Sequence, residues 1–181
     1  MPVHTYIRRT PTRMNEKNLT MPVERLPRQE NCNCFAIRSA ARHVTQLYDQ
    51  FLAPIGLRVT QFSILAKLKR IGPLTINALA KEMVMDRTTL GRNIQPLERD
   101  GLIRIAPAAS DRRAKELRLT KAGEKRLQDG LAAWSAAQAR FEASFGAKRA
   151  ADLRAQLRAV TASEFTPAAS LPKSLQTDAD Q

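Results

Sequence analysis

Residues 86–120, DRTTLGRNIQPLERDGLIRIAPAASDRRAKELRLT, decide how the rest of the chain is read, because they join a helical pattern to a charged hairpin. Asp86 is a good helix N-cap, and Met85, Leu90, Ile94 and Leu97 recur on one face of a helix that Gly101 stops. The opposite face carries Arg87, Thr88, Gly91, Arg92 and Gln95, with Thr89 beside them. Long cations and small hydroxyls are the side chains that meet phosphates and base edges when a helix enters the major groove of DNA. Pro96 lies inside this helix, where a proline removes an amide donor and clashes one turn back. It predicts a kink beyond the base-contacting residues or, alternatively, a helix that ends at Gln95.

After Gly101, Leu102-Ile103-Arg104-Ile105 and Glu116-Leu117-Arg118-Leu119 each approach the alternation of a strand with one buried face. Between them, Pro107 to Lys115 carries Arg112, Arg113 and Lys115 beside a single acid, Asp111. Such a hairpin suits a wing that follows the phosphate backbone or enters the minor groove. The plainer reading is a solvated hairpin with a charged tip, and the basic helix immediately before it favours DNA.

Upstream, Phe35, Ala40, Ala41, Val44, Tyr48, Phe51 and Leu52 predict a long helix from Asn31 to Ala53. A second is predicted from Thr60, as N-cap, to Ile71, with Phe62, Leu65, Ala66 and Leu68 inward and Gly72-Pro73 as the break. A third begins near Thr75 and carries Ile76, Leu79, Ala80 and Met83. A short turn at Val84-Met85 then leads into the basic helix, and the whole reads as a winged helix-turn-helix. From Thr120 onwards Leu127, Leu131, Trp134, Phe141 and Phe145, then Leu153, Leu157 and Val160 beyond Gly146, form apolar stripes. With little left to pack against, these helices and the first long one are expected to bury their stripes against a second copy; the alternative is a monomer in which they fold back.

The expected class is therefore mainly α with a small antiparallel hairpin. Its expected parts are a flexible arm (1–30), an N-terminal dimerisation helix (31–58), a winged DNA-binding domain (59–121), C-terminal dimerisation helices (122–165) and a disordered tail (166–181). The 181 residues carry 30 Lys/Arg against 17 Asp/Glu, a net charge of +13, which favours a polyanionic partner. Residues 70–125 hold 12 Lys/Arg and 7 Asp/Glu, so the excess is spread along the chain and does not locate the site. No run of 18 apolar residues and no apolar segment behind Arg8 and Arg9 is present, so no membrane partner and a cytoplasmic location are expected. Two cysteines do not make a disulfide scaffold. Two histidines without nucleophile-base spacing, and no phosphate-cradling glycine loop, leave no visible catalytic machinery, so neither an enzyme nor a cofactor is expected.

Several motifs also carry a resemblance. Asp86-Arg-Thr-Thr-Leu90, Leu97-Glu-Arg-Asp-Gly-Leu-Ile103, and Asp111-Arg-Arg113 followed by Leu119-Thr-Lys-Ala-Gly123 resemble the recognition helix and wing of the MarR family of bacterial winged-helix transcription regulators. The resemblance spans about residues 31 to 163. It implies a homodimer that binds a palindromic operator in double-stranded DNA, usually as a repressor, and is released by a small phenolic ligand or an oxidant. It also implies that Asp111 orients Arg113 onto DNA. The expected DNA-contacting set is Thr75, Arg87, Thr88, Thr89, Gly91, Arg92, Gln95, Asp111, Arg112, Arg113 and Lys115.

Cys34-Phe35, at the start of the long helix, resembles the reactive cysteine of the organic-hydroperoxide-sensing branch of that family, and Tyr48 matches one of the branch's two tyrosines. The other corresponds to Arg38. A thiol in a first helical turn faces the positive end of the helix dipole, a setting in which oxidation to sulfenic acid and condensation with another thiol are favoured. Cys32, two residues away, is expected on nearly the opposite side of the helix, so a bridge to a partner subunit is the easier outcome. Both cysteines also fit as small buried hydrophobes, and with only His4 and His43 for company they predict no metal site. A second sensing route uses Arg38, Arg42, His43 and Tyr48, which offer charge and hydrogen bonds to an aromatic carboxylate, although each also fits as an ordinary surface residue. Two other functions stand beside the regulator: an architectural DNA protein that does not read sequence, and a thiol peroxidase using Cys34.

Overall fold

The computed structural model describes residues 28–108 and 114–164. It divides at Ala41 into two units. In the first, a 3-10 turn at Gln29–Asn31 precedes the opening turns of helix α1, Asn33–Leu52. Cys32 stands just outside the helix in an extended conformation; its carbonyl accepts from the Ala36 amide at 2.9 Å and its Sγ from the Phe35 amide at 3.4 Å. Cys32 is thus the N-cap of α1, and the sequence-based placement on the far side of a helix does not hold, because the chain has not yet become helical there.

The second unit contains the rest of α1, then α2 (Val59–Ile71), the two-residue strand β1 (Leu74–Thr75), α3 (Ile76–Glu82), α4 (Arg87–Arg99), β2 (Ile103–Pro107), β3 (Lys115–Leu119), α5 (Lys121–Phe145) and α6 (Ala147–Ala162). The sheet order is β1-β3-β2, antiparallel throughout, with Leu74 opposite Leu117 and Ile103 opposite Leu119. Its core gathers Leu52 and Leu57 with Phe62, Ile64, Leu65 and Leu68 of α2, Leu79 of α3, the inner face of α4, Leu102 and Ile103, Leu117 of β3 and Leu127 of α5. A mostly helical chain with a small three-stranded antiparallel sheet in this order is a winged helix-turn-helix, as the patterning predicts. Among the described residues no single helix is long and apolar enough to cross a membrane.

Three local expectations need correction, and the alternative that the basic helix ends at Gln95 falls away. The N-cap of helix α2 lies two residues early, at Arg58 and not Thr60, because the Asp49 carboxylate of α1 accepts from the Val59 amide at 2.7 Å and Gln61 Oε1 from the Arg58 amide at 2.9 Å. A cap supplied from another helix leaves no local mark in the sequence. Helix α4 runs through Pro96 to Arg99; one lost hydrogen bond is offset by the packing of Leu90, Ile94 and Leu97 on the core. The hairpin ladder starts at Ile103 and reaches Pro107 opposite Lys115, so Lys115 is a strand residue and not part of the loop. Finally, β1 adds a third strand that two residues are too short to announce.

Helix ends are bound tightly to one another. Thr120 caps α5 by accepting from the Gly123 amide at 3.0 Å, while its hydroxyl lies 2.7 Å from the Gly101 carbonyl oxygen and 3.1 Å from that of Leu102. Three helical stretches end in the same pair of backbone hydrogen bonds. Gly56 and Leu57 close on Ala53 and Leu52, Val84 and Met85 on Lys81 and Ala80, and Gly101 and Leu102 on Glu98 and Leu97. This paired pattern, with an apolar residue after the turn, is the Schellman motif, whose turning residue is left-handed. The φ values there are 73° at Gly56, 51° at Val84 and 68° at Gly101. For a β-branched residue such as Val84 that conformation costs about 1–2 kcal/mol.

Candidate nucleic-acid interface

Helix α4 is oriented by its two faces. Leu90, Ile94 and Leu97 are buried and Met85 is packed against them from the preceding turn, so Arg87, Thr88, Thr89, Arg92 and Gln95 are left exposed, with Gly91 half-buried among them. Its start is set by Asp86, whose Oδ1 accepts from the Thr89 amide at 2.8 Å. Hydrogen bonds from Thr89 hold the Asp86 carboxyl below its ordinary pKa, as expected for an anion at a helix N-terminus. Neither Arg87 nor Arg92 is ion-paired with a described residue. The acid closest in sequence, Asp86, is engaged with the helix amides, so the two guanidiniums keep their donors for an external anion or base edge. Gly91 has nothing within 4 Å of where a Cβ would stand, leaving a shallow place between the two arginines' turns.

The other expected contacts divide. Thr75 is the N-cap of α3, its hydroxyl oxygen accepting from the Ala78 amide at 3.2 Å, and is half-buried; its hydroxyl proton stays available to a phosphate. Lys115 is exposed at the start of β3. Asp111, Arg112 and Arg113 lie outside the described residues. One exposed residue at this edge went unnoticed in the sequence: Val84, in the turn between α3 and α4, is 75% exposed. The sequence pattern puts it in a turn without assigning it a role, and the left-handed backbone there turns its side chain out.

The candidate sensing residues are also separated by the structure. Cys32 and Cys34 are both unbridged and exposed, and Arg38 is exposed on the same first unit. In the second unit Tyr48 is buried and its hydroxyl donates to Gln138 Oε1; Gln138 Nε2 donates to Glu142 Oε1 at 2.8 Å, and Arg154 Nη1 donates to the same oxygen at 3.1 Å. Burial pushes the Tyr48 phenol's pKa up, with Glu142 adding to the shift and Arg154 opposing it. This chain of hydrogen bonds ties α1 to α5 and α6. Arg42 is exposed. His43 is exposed and lines an open groove of about 380 Å³ with Val44, Leu47, Arg140, Phe141 and Phe145. Among the described residues no cluster of three or more His, Cys, Asp or Glu side chains is placed to hold a metal ion.

A helix-turn-helix with an exposed cationic face on its second helix and a hairpin behind it defines the winged-helix class of DNA-binding transcription regulators. The family model described as "MarR family" matches residues 57–115. The crystal structure of the M. tuberculosis transcriptional regulator MosR is 36% identical, covering 74% of this chain and 98% of that one with a TM-score of 0.63. A structure of MosR in complex with DNA is 35% identical, covering 73% and 99% with a TM-score of 0.60. YwoH, an uncharacterised HTH-type transcriptional regulator of Bacillus subtilis, is 31% identical over 93 residues, 51% of this chain and 67% of its own. The organic hydroperoxide resistance transcriptional regulator of the same organism is 27% identical over 94 residues, 52% of this chain and 64% of its own. The matched stretches thus span about two thirds of those two regulators' length. The chain belongs to the MarR family, and its relatives are transcription regulators, not enzymes.

Proposed function

We propose that the chain is a sequence-specific DNA-binding regulator, acting as a repressor, that reads a palindromic operator as a homodimer. The observation that carries this reading is the outer face of α4, where Arg87, Arg92 and Gln95 stand exposed with no ion pair to a described residue. In the proposed complex that face enters the major groove, Thr75 and Thr88 meet phosphates, and the hairpin bearing Asp111, Arg112, Arg113 and Lys115 follows the backbone. Residues 59–121 are the reading domain in this scheme, and the helices within 31–58 and 122–165 bring two copies together. Exposed Leu157 and Val160 on α6, and Leu131 and Trp134 on α5, support that role, since they leave apolar surface for a second copy to cover.

The test is the affinity for an operator selected from random duplexes against that for random DNA at physiological salt. Equal affinity overturns the reading and leaves an architectural DNA protein. Arg92→Ala should relax base preference, and Arg113→Ala should weaken operator binding by about 1–3 kcal/mol.

Release is proposed to follow one of two chemistries. An exposed Cys34 in the first turn of α1 supports oxidation, as does the similarity to a regulator of organic hydroperoxide resistance. The Tyr48 hydroxyl, however, already donates its proton to Gln138 and has none left to offer a thiolate. A small aromatic acid is the second route, supported by the groove that sets His43 and Arg140 against Phe141 and Phe145. Stoichiometric cumene hydroperoxide separates the two. Release of the wild type with retention by Cys34→Ser assigns a thiol switch, whereas retention by both excludes it and leaves a regulator that answers to a small ligand or to none.

A further inference from the structure

We infer that Val84 is a specificity-determining residue of the DNA interface, contacting the C5-methyl group of a thymine in the major groove. The inference rests on the proposed DNA-reading role of α4 and extends it to a residue on neither the reading helix nor the hairpin.

The backbone of the turn does not explain why valine is there. Val84 occupies the left-handed position of a Schellman motif, with its amide 3.1 Å from the Lys81 oxygen and the following Met85 amide 2.9 Å from that of Ala80. Glycine or asparagine fills such a position without strain, and the two other turns of this kind hold Gly56 and Gly101. Nor does packing explain it. Met85 turns inward against the core, whereas Val84 is 75% exposed, more than any other large apolar side chain among the described residues. A strained backbone that holds an apolar group out in water is kept where the group has an external task.

The location says what that task is. Val84 stands two residues before the N-cap Asp86, at the end of α4 that carries Arg87, Thr88 and Arg92. When the N-terminal turns of a recognition helix enter the major groove, the turn before it comes to the groove edge. There the apolar group offered by DNA is the thymine methyl, which side chains such as Ala and the Thr methyl recognise by contact. Valine presents two methyl groups on a stiff χ1, and the tight turn fixes their direction.

The test uses the full chain, as wild type, Val84→Ala and Val84→Gly, with an operator selected on the wild type, the same operator with each thymine replaced in turn by 2′-deoxyuridine, and a random duplex. One uracil substitution should weaken the wild type about fourfold, the worth of one methyl group withdrawn from water. Val84→Gly should bind the unmodified operator about fourfold more weakly, should be indifferent to that same substitution, and should bind random DNA as the wild type does. Thermal unfolding should be no lower for Val84→Gly than for the wild type, so lost binding is not lost folding. The inference is overturned if Val84→Gly keeps full operator affinity, if it loses equally on random DNA, or if its sensitivity to uracil matches the wild type's. If the wild type itself does not distinguish operator from random duplex, the DNA-reading role fails first and takes this inference with it.

Discussion

The turn before the reading helix and the turn after it have the same hydrogen bonds and different residues. At Gly101 the left-handed backbone is filled by the residue that adopts it at least cost; at Val84, φ 51°, it is filled by one that resists it. Gly101 closes α4 and hands the chain to β2, with Thr120 reaching back to its carbonyl, so its task is internal. Val84 opens onto solvent. The difference teaches that one backbone motif serves two purposes, and that strain marks the turn whose side chain faces outward.

A glycine of another kind bounds the comparison from above. At Gly123 an added Cβ would lie 2.0 Å from the Leu102 carbonyl oxygen, so Gly123→Ala must push α5 away from the β2 entry. Its expected cost is about 3 kcal/mol, read by chemical denaturation; near-neutral behaviour would mean the α5 start is not pinned there. Next in size is Gly101→Val, which places the Val84 situation at the second turn. A Cβ at Gly101 meets nothing within 4 Å, so the loss of about 1–2 kcal/mol is conformational alone. Val84→Gly is expected to run the other way and raise stability by about 0.5–1 kcal/mol, the strain relieved less the entropy of an extra glycine in the unfolded chain. A loss on Val84→Gly would mean the valine packs after all and would break the comparison.

The smallest effect is a pH dependence between the Val84 turn and α4. The Asp86 carboxyl has a lowered pKa in the folded chain, so the folded state binds its proton less tightly than the unfolded chain does. Its contribution to stability is complete above the ordinary aspartate pKa and is lost as pH falls through the lower folded value. Asp86→Asn retains a capping side chain that does not titrate there. The melting temperatures of wild type and Asp86→Asn should therefore converge as pH falls through that range, and a constant gap would put the effect elsewhere.

Much of this architecture was legible in the sequence for physical reasons. Periodicity located the helices because each has a face to bury: Leu90, Ile94 and Leu97 in α4, and Phe62, Leu65 and Leu68 in α2. Capping chemistry placed Asp86, Thr75 and Gly101 because those signals are local. What escaped was non-local. The cap of α2 comes from Asp49, ten residues away from the amide it serves, and β1 exists only because β3 is there to pair with it. Cys32 looked helical until the structure placed the helix start beyond it. Tyr48 matched a tyrosine of the hydroperoxide-sensing branch, but its partner Gln138 lies on another helix, beyond the reach of motif spacing. The exposed cations of α4 were read directly, whereas Val84 was passed over because its exposure depends on a backbone angle that composition does not encode.

The most direct test of the account is a side-by-side titration of wild type and Arg92→Ala against a selected operator and a random duplex at physiological salt. Strong preference for the operator in the wild type, reduced mainly on the operator by Arg92→Ala, is the predicted result and makes the outer face of α4 a reader of bases. Equal binding of both duplexes by the wild type, or an Arg92→Ala loss of the same size on each, would contradict it.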